Sequence, residues 1–124
     1  MSKTTEMGAL RHPELTGVEV YPLGENPQKG ENQEVLVIVE PEGIIPLHSH
    51  EVDARMFVVA GDAQLLSDDP QLNGQQVRTG TCVFFEKLVN HGFKAGKQGL
   101  RFLSRNGGIV DSHGAWDIKM AVAA

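Results

Sequence analysis

The chain has 124 residues, of which 40% are hydrophobic, and a formal net charge of −5 at pH 7. That length fits one domain with its own core, and the hydrophobic content excludes a disordered chain. The 11 Lys and Arg residues are scattered along the chain, which excludes a basic nucleic-acid surface. We therefore expect a small-molecule ligand and no nucleic-acid partner.

The cellular setting is indicated by what the sequence lacks. Cys82 is the single cysteine, so no intrachain disulfide can form, and a reducing compartment fits best. No apolar run approaches the roughly 20 residues that span a bilayer. The first ten residues are polar and lack the apolar segment of a signal peptide. These features predict a cytoplasmic protein with no membrane partner.

The pattern along the chain is that of short strands separated by turns. We predict a loose N-terminal arm over residues 1–17 and one barrel domain over residues 18–124. Turn signals recur about every eight to twelve residues, which is typical of an antiparallel sandwich or barrel. The predicted strands are Val18–Pro22, Glu34–Glu40, Ile44–His50, Met56–Ala60, Ala63–Ser67, Gln75–Arg78, Cys82–Glu86, His91–Lys94 and Leu100–Ser104, with further pieces at Ile109–Val110 and Asp117–Val122.

Three of the five histidines have the spacing of metal ligands. His48 and His50 are two residues apart on a predicted strand, so both imidazoles project from the same face. A metal ion needs at least one more ligand, and His91, which opens a later strand directly after a turn, is the natural third. His12 lies in the arm, and His113 near the tail is expected to be exposed.

The sequence around these histidines resembles the motifs of the cupin superfamily. The segment Gly43-Ile-Ile-Pro-Leu-His48-Ser-His50, closed by Gly61, is similar to the first motif. Gly80, ten residues and His91 are similar to the second. The resemblance extends from about Val35 to Ser104. It implies an all-β fold, a single antiparallel double-stranded β-helix or jelly-roll barrel, with a metal on His48, His50 and His91.

The sequence departs from the family where a fourth metal ligand is expected. Ala54 stands at the position of the family glutamate, and an alanine cannot bind a metal. The resemblance leaves three explanations. The centre has three histidines only, as in cupin dioxygenases that act on thiols or β-diketones; or Glu51 or Asp53 swings in as a fourth ligand; or the metal has been lost. We adopt the first as the working hypothesis.

The resemblance and the histidines together lead to a functional hypothesis. We predict a metal-dependent enzyme, an Fe(II)-type dioxygenase that acts on a small chelating substrate. Iron is the preferred ion, and nickel, manganese, zinc and copper are alternatives because imidazole suits several transition metals. The competing functions are a metal-dependent lyase or isomerase on a small oxygenated acid, and a non-catalytic cupin that binds or senses a ligand.

Three further residues are candidates for the substrate site. Glu86 lies five residues before His91 and is the candidate catalytic base. Phe93 lies two residues after His91, on the same face of the strand, and is expected to line the substrate pocket. Arg55 faces outward in the family register; if it faces inward instead, it could pair with a substrate carboxylate in the pocket.

The sequence also predicts a homodimer. Val35, Val37 and Val39 cannot share a face with Leu36 and Ile38, yet both sets are apolar. One set fills the barrel and the other is expected to be covered by a partner subunit. Trp116 is expected to be covered in the same way. Cys82 and Phe84 are predicted to be part of the core.

Overall fold

The computed structural model describes residues 2, 4, 6–23, 33–106 and 116–121. In these ranges every regular element is a strand, which confirms the all-β prediction. No helix in the described ranges is long and apolar enough to span a bilayer. The strands are β1 Val18–Pro22, β2 Gln33–Val39, β3 Ile44–Ser49, β4 Ala54–Ser67, β5 Gln76–Arg78, β6 Cys82–Phe85, β7 His91–Asn106 and β8 Lys119–Met120.

The strands form one antiparallel sheet that curls around a common core, as predicted. Its main path runs β1-β2-β7-β3-β8, while β4 pairs with β5, β6 and β7. β7 is the central strand. Its second half lies between β2 and the first half of β4, and its first half lies between β3 and the second half of β4. β7 therefore links β2 and β3 on one side to β4 on the other.

Two predicted strand boundaries are wrong. We predicted separate strands on either side of Gly61-Asp62 and a gap between Lys94 and Leu100, but β4 and β7 continue through both positions. Gly61 and Gly99 have φ angles of 81° and 79°, and a Cβ on Gly61 would overlap the carbonyl oxygen of Gly99. The pairing shifts register between Gly61 and Ala63. Glycine here bends paired strands at a bulge instead of ending them.

The core follows from side-chain alternation along each strand. In β2, Val35, Val37 and Val39 are buried, whereas Leu36 and Ile38 are only half-buried on the outer face. The same alternation corrects two predictions in β6. Val83 and Phe85 face the core, so their neighbours Cys82 and Phe84 are exposed and do not belong to it.

Both ends of the described chain pack against the barrel. Leu10 pairs with Val20 through two backbone hydrogen bonds of 2.7 and 2.9 Å, and Leu15 is buried. At the other end, β8 pairs with β3, with Met120 opposite His48. The division of the chain at residue 17 stays a prediction. The predicted strand at Ile109–Val110 and the predicted exposure of His113 lie outside the described residues.

Candidate metal centre

The three predicted ligands converge at one end of the barrel. His48 lies in β3, His50 follows that strand, and His91 begins β7, where it pairs with His48. A register shift between Ile45 and His48 bends β3 at this point. One ring nitrogen from each histidine lies within 4.8 Å of the other two, and all three residues are buried. In the described part of the chain, no other histidine, cysteine or carboxylate joins this group.

Backbone carbonyls fix the orientation of each imidazole. The Nδ1 atoms of His48 and His91 lie 2.8 and 3.1 Å from the carbonyl oxygens of Pro46 and Val89, each two residues earlier in the chain. The Nδ1 atom of His50 bonds to the carbonyl of Asp117, far away in sequence. A carbonyl can only accept a hydrogen bond, so each Nδ1 carries the proton and donates it. The Nε2 lone pair of every ring is therefore left for a metal ion.

Burial keeps the three imidazoles neutral. Desolvation lowers the pKa of His91 to about 3 and that of His48 to about 4, from an ordinary value of 6.5, and nearby histidines add to both effects. Desolvation also lowers the pKa of His50. Because a metal competes with protons for the imidazole lone pair, neutral rings at pH 7 are ready to bind one. The cluster is a candidate transition-metal site.

A fourth ligand from the loop after His50 is not in place. Glu51 and Asp53 are exposed, and the carboxylate of Asp53 accepts a hydrogen bond of 2.8 Å from the backbone N–H of Lys87. Ala54 is buried and lines the cavity at the position where the family glutamate would stand. Among the described residues the ligand set therefore consists of three histidines.

The histidines lie in the wall of an apolar cavity. The cavity has an empty volume of about 510 Å³, its open mouth included. Apart from the three histidines, only Ser104 and Trp116 bring polar side-chain atoms to its described lining. The lining consists of Leu15, Val20, Val37, Ile45, His48, His50, Ala54, Met56, Phe85, His91, Phe93, Phe102, Ser104, Trp116 and Ile118. Such a cavity suits a small, mostly apolar molecule that binds the metal through a few polar atoms.

Phe93 lies where the sequence placed it, and Phe85 lies beside it. Phe93 is buried and lines the cavity. Phe85 stacks on His91, with ring centroids 4.1 Å apart and an angle of 13° between the planes. The Phe85 ring covers one face of the His91 imidazole. Phe85 therefore restricts the orientation of this candidate metal ligand and also forms part of the cavity wall.

Two predicted pocket residues lie outside the cavity. Arg55 is exposed on the outer face of β4, and its guanidinium lies 5.8 Å from the centre of the Phe84 ring. Alternation in β4 explains this position, because Ala54 and Met56 on either side face inward. Glu86 is exposed in the turn after β6 and does not line the cavity. The assignments of Arg55 to the pocket wall and of Glu86 as a base at the pocket are thereby corrected.

Sequence reasoning missed the contribution of the chain termini. Trp116 and Ile118 line the cavity, and so does Leu15 from the predicted arm. Trp116 also contacts His12 edge-to-face at 5.4 Å, so its own chain covers it in part. The single tryptophan of the sequence, in the C-terminal segment, was the one available signal. No local pattern links Asp117 to His50, since that contact depends on tertiary structure.

Comparisons with known proteins show similarity in fold. No family model and no curated protein matches the sequence. The polyketide cyclase RemF from Streptomyces resistomycificus superposes with a TM-score of 0.74 at 20% identity, over 100% of this chain and 88% of its own. An RmlC-like cupin from Shewanella frigidimarina gives 0.68 at 17% identity, over 86% and 89%. KdgF from Halomonas sp. gives 0.61 at 16% identity, over 74% and 82%.

At these identities the similarity establishes the architecture, and the chemistry must be argued from the site. A further matched structure, a conserved protein from Klebsiella pneumoniae, is described as having a double-stranded β-helix domain, and RemF is an enzyme. They give no support to a specific dioxygenase activity. The buried three-histidine cluster in an apolar cavity is the feature from which a function can be derived.

Proposed function

We propose that this chain, which belongs by its fold to the cupin superfamily, is an enzyme that holds one divalent transition metal ion on His48, His50 and His91. The observation that carries the proposal is the convergence of three buried, neutral imidazoles on one point. The donor set fits such an ion, because imidazole nitrogen binds iron, nickel, copper and zinc well. Iron remains the ion that we propose first, with manganese also among the alternatives.

The lining of the cavity defines the class of substrate. Because Arg55 is outside the cavity, no arginine in the described lining can neutralise a substrate carboxylate. Three neutral ligands leave the metal its full positive charge, so an anionic group of the substrate would bind there. The remaining walls are apolar. We infer a small, mostly apolar substrate that chelates through two oxygen atoms, for example the enolate of a 1,3-dicarbonyl compound.

The composition of the site favours oxygenation over proton transfer by a side chain. When bound, the ion would supply Lewis acidity together with free positions for a chelating substrate and for dioxygen. In the described lining no carboxylate is present to act as a base, which counts against a lyase that uses Glu86. In a dioxygenase both oxygen atoms enter the product, so the reaction needs no external reductant.

The protein's own residues would hold and shield the substrate. The carbonyls of Pro46, Asp117 and Val89 fix the three imidazoles. Phe85 and Phe93 form an aromatic wall next to His91, with ring centroids 6.0 Å apart. A flat enolate would lie against this wall, and the apolar surroundings would exclude water from the reacting atoms.

A second candidate is a redox-neutral cyclisation or isomerisation. It is favoured by the similarity over the whole chain to RemF, a polyketide cyclase. A polyketide is also a chain of 1,3-dicarbonyl units, so the same aromatic wall and the same chelating position would serve both reactions. The two candidates differ in their requirement for dioxygen.

The test is turnover with and without oxygen. Protein purified without a histidine tag is loaded with Fe(II) and mixed with a panel of 1,3-dicarbonyl compounds in an oxygen-electrode cell. The dioxygenase proposal expects oxygen uptake equal to substrate loss, abolished in His91→Ala and retained in the matched variant Glu86→Gln. Equal substrate loss under argon would favour the cyclase or isomerase. Binding without any conversion would contradict both and leave a ligand-binding or sensing cupin.

A further inference from the structure

Of the three candidate ligands, His50 is the one that lies outside a strand. His48 is in β3 and His91 is in β7, and these two residues pair with each other. β3 ends at Ser49, so the main chain at His50 belongs to the loop that follows. A ligand outside regular structure needs other contacts to keep its ring nitrogen at the metal position. In the described chain such contacts come from the C-terminal segment 116–121.

Asp117 of this segment contacts both the ring of His50 and the main chain beside it. Its carbonyl accepts the Nδ1–H of His50. Its two carboxylate oxygens accept from the backbone N–H of Glu51, at N···O distances of 3.1 and 3.2 Å. This N–H belongs to the peptide group that follows His50, and the carbonyl of the same group accepts a bond of 2.8 Å from the N–H of Leu88. Asp117 therefore fixes one end of that peptide group together with the imidazole.

Asp117 also brings a negative charge to a site that has no carboxylate ligand. In the described lining of the cavity no carboxylate is present, and Ala54 lies where the family glutamate would stand. Burial lowers the pKa of His50, and the carbonyl and the charge of Asp117 act against that effect. A group that favours positive charge on this ring also favours a cation bound to it. The position of Asp117 thus suits a metal ion without direct coordination.

The residues on either side of Asp117 belong to the cavity wall. Trp116 and Ile118 both line the cavity. The far end of the segment is attached to β3, where the N–H of Ala121 donates a bond of 2.9 Å to the carbonyl of Leu47. Because Asp117 lies between two lining residues, the contacts that fix Asp117 also fix this part of the wall.

We propose that Asp117 is a positioning residue that orients His50 and couples a bound metal ion to the cavity wall. This role rests on the proposed three-histidine metal centre. A cation on the Nε2 atom of His50 makes the Nδ1–H a stronger donor, so the bond to the Asp117 carbonyl tightens and steadies the wall on either side. Coupling between two sites is reciprocal. A substrate packed against Trp116 and Ile118 therefore steadies Asp117 and strengthens metal binding.

The first test measures Zn(II) affinity by competition with a chelator. Asp117→Ala should weaken Zn(II) binding by about tenfold or more, which is the usual effect of removing a group that holds a metal ligand. Asp117→Asn should recover most of this loss, because its amide oxygen still accepts a bond from the Glu51 N–H. The matched control is Asp53→Ala, which removes a carboxylate that accepts from the backbone N–H of Lys87 instead. Its Zn(II) affinity should equal that of the wild type.

The second test uses the fluorescence of Trp116, the single tryptophan of the sequence. Zn(II) has no unpaired electrons that would quench emission, so a change in emission reports on the surroundings of this ring. The wild-type emission should shift on addition of Zn(II), and the shift should be largely lost in Asp117→Ala at saturating Zn(II) and retained in Asp53→Ala. Without metal, acrylamide should quench Asp117→Ala more strongly than the wild type, because the segment opens more often.

The outcomes separate this proposal from the one on which it rests. A wild-type chain that binds no Zn(II) contradicts the metal centre itself, and the role of Asp117 at the metal fails with it. A wild-type chain that binds Zn(II), while Asp117→Ala matches it in affinity and emission, overturns the role of Asp117 alone. If Asp117→Asn is as weak as Asp117→Ala, the bond to Glu51 does not position His50 and the proposal is wrong. Asp117 is not part of the buried core, so each variant should fold, and circular dichroism checks this.

Discussion

His48 and His91 face each other across paired antiparallel strands, and their ring centroids lie 4.5 Å apart. The pairing joins two motifs that are 43 positions apart in the sequence. His50 completes the group, at 5.0 Å from His48 and 5.2 Å from His91. The geometry of the site is thus set by strand pairing at the point where β3 bends.

The first prediction concerns the ligands. His48→Ala, His50→Ala and His91→Ala should each lose most of the bound metal and remain folded, because each removes one of three donors from a pre-formed barrel. Metal content by mass spectrometry after dialysis, with circular dichroism alongside, measures both effects. His12→Ala is the control and should keep its metal. Full retention in the His91 variant would exclude the proposed triad.

The second prediction concerns the absent carboxylate. Glu51→Gln and Asp53→Asn should leave metal affinity unchanged, since both side chains are exposed and outside the cluster. Ala54→Glu should place a carboxylate at the cluster, which tightens metal binding and blocks a position that the substrate needs. Competition with a chelator measures affinity. A loss of metal in either loop variant would show that the loop supplies a ligand.

The third prediction concerns the pH dependence of the metal-free protein. The folded-state pKa values of His48 and His91, about 4 and about 3, lie below the unfolded value of 6.5. Between these limits the unfolded chain binds more protons than the folded one. The free energy of unfolding should therefore fall as the pH drops below 6.5, by on the order of 1 kcal/mol per pH unit for each histidine.

Urea unfolding between pH 7.5 and 4.5 measures this slope. His48→Gln removes one titrating ring and should flatten the slope relative to the wild type, whereas His12→Ala should not. Carboxylates also titrate at acid pH and contribute to the slope in every variant. The difference in slope between His48→Gln and His12→Ala therefore gives the contribution of the buried His48 ring alone. Equal slopes for the wild type and His48→Gln would contradict the buried, neutral state of that ring.

The fourth prediction concerns the bend of the long strands. Gly61→Ala should destabilise the fold by about 3 kcal/mol or more, because the added Cβ meets the Gly99 carbonyl and φ is positive. Gly74→Ala is the matched control. It has a φ of 85° but open space around its Cβ position, so it should cost only about 1–2 kcal/mol. Equal losses in thermal unfolding would show that strand contact at Gly61 is unimportant.

Turn spacing and the resemblance to the cupin motifs were sufficient for the fold class and for the three histidines. Alternation placed His48 and His50 on one face, and the position of His91 at the start of a strand, with the motif-like spacing from Gly80, pointed to the third ligand. The same alternation, with the register read correctly, puts Arg55 outside and Ala54 inside. Glu86 was misjudged because its position depends on how the turn after β6 leaves the sheet, which spacing alone does not determine.

The remaining features depend on tertiary contacts. Gly61 was predicted to end a strand, and only its close approach to Gly99 across β4 and β7 shows that the strand bends there and continues. The carbonyl of Asp117 reaches His50 across 67 positions. Trp116 lines the cavity although it lies far along the chain from most of the other lining residues. Contacts over such separations leave no periodic trace in the sequence.

The measurement that tests the account most directly is the metal stoichiometry of the wild-type chain. Protein purified without a histidine tag is loaded with Fe(II) under argon, dialysed and analysed for all transition metals. One ion per chain, and less than a tenth of that amount in the triple variant His48→Ala, His50→Ala, His91→Ala, is the result expected for a single three-histidine site. A wild-type chain with no more metal than the triple variant would contradict a metal centre at these residues.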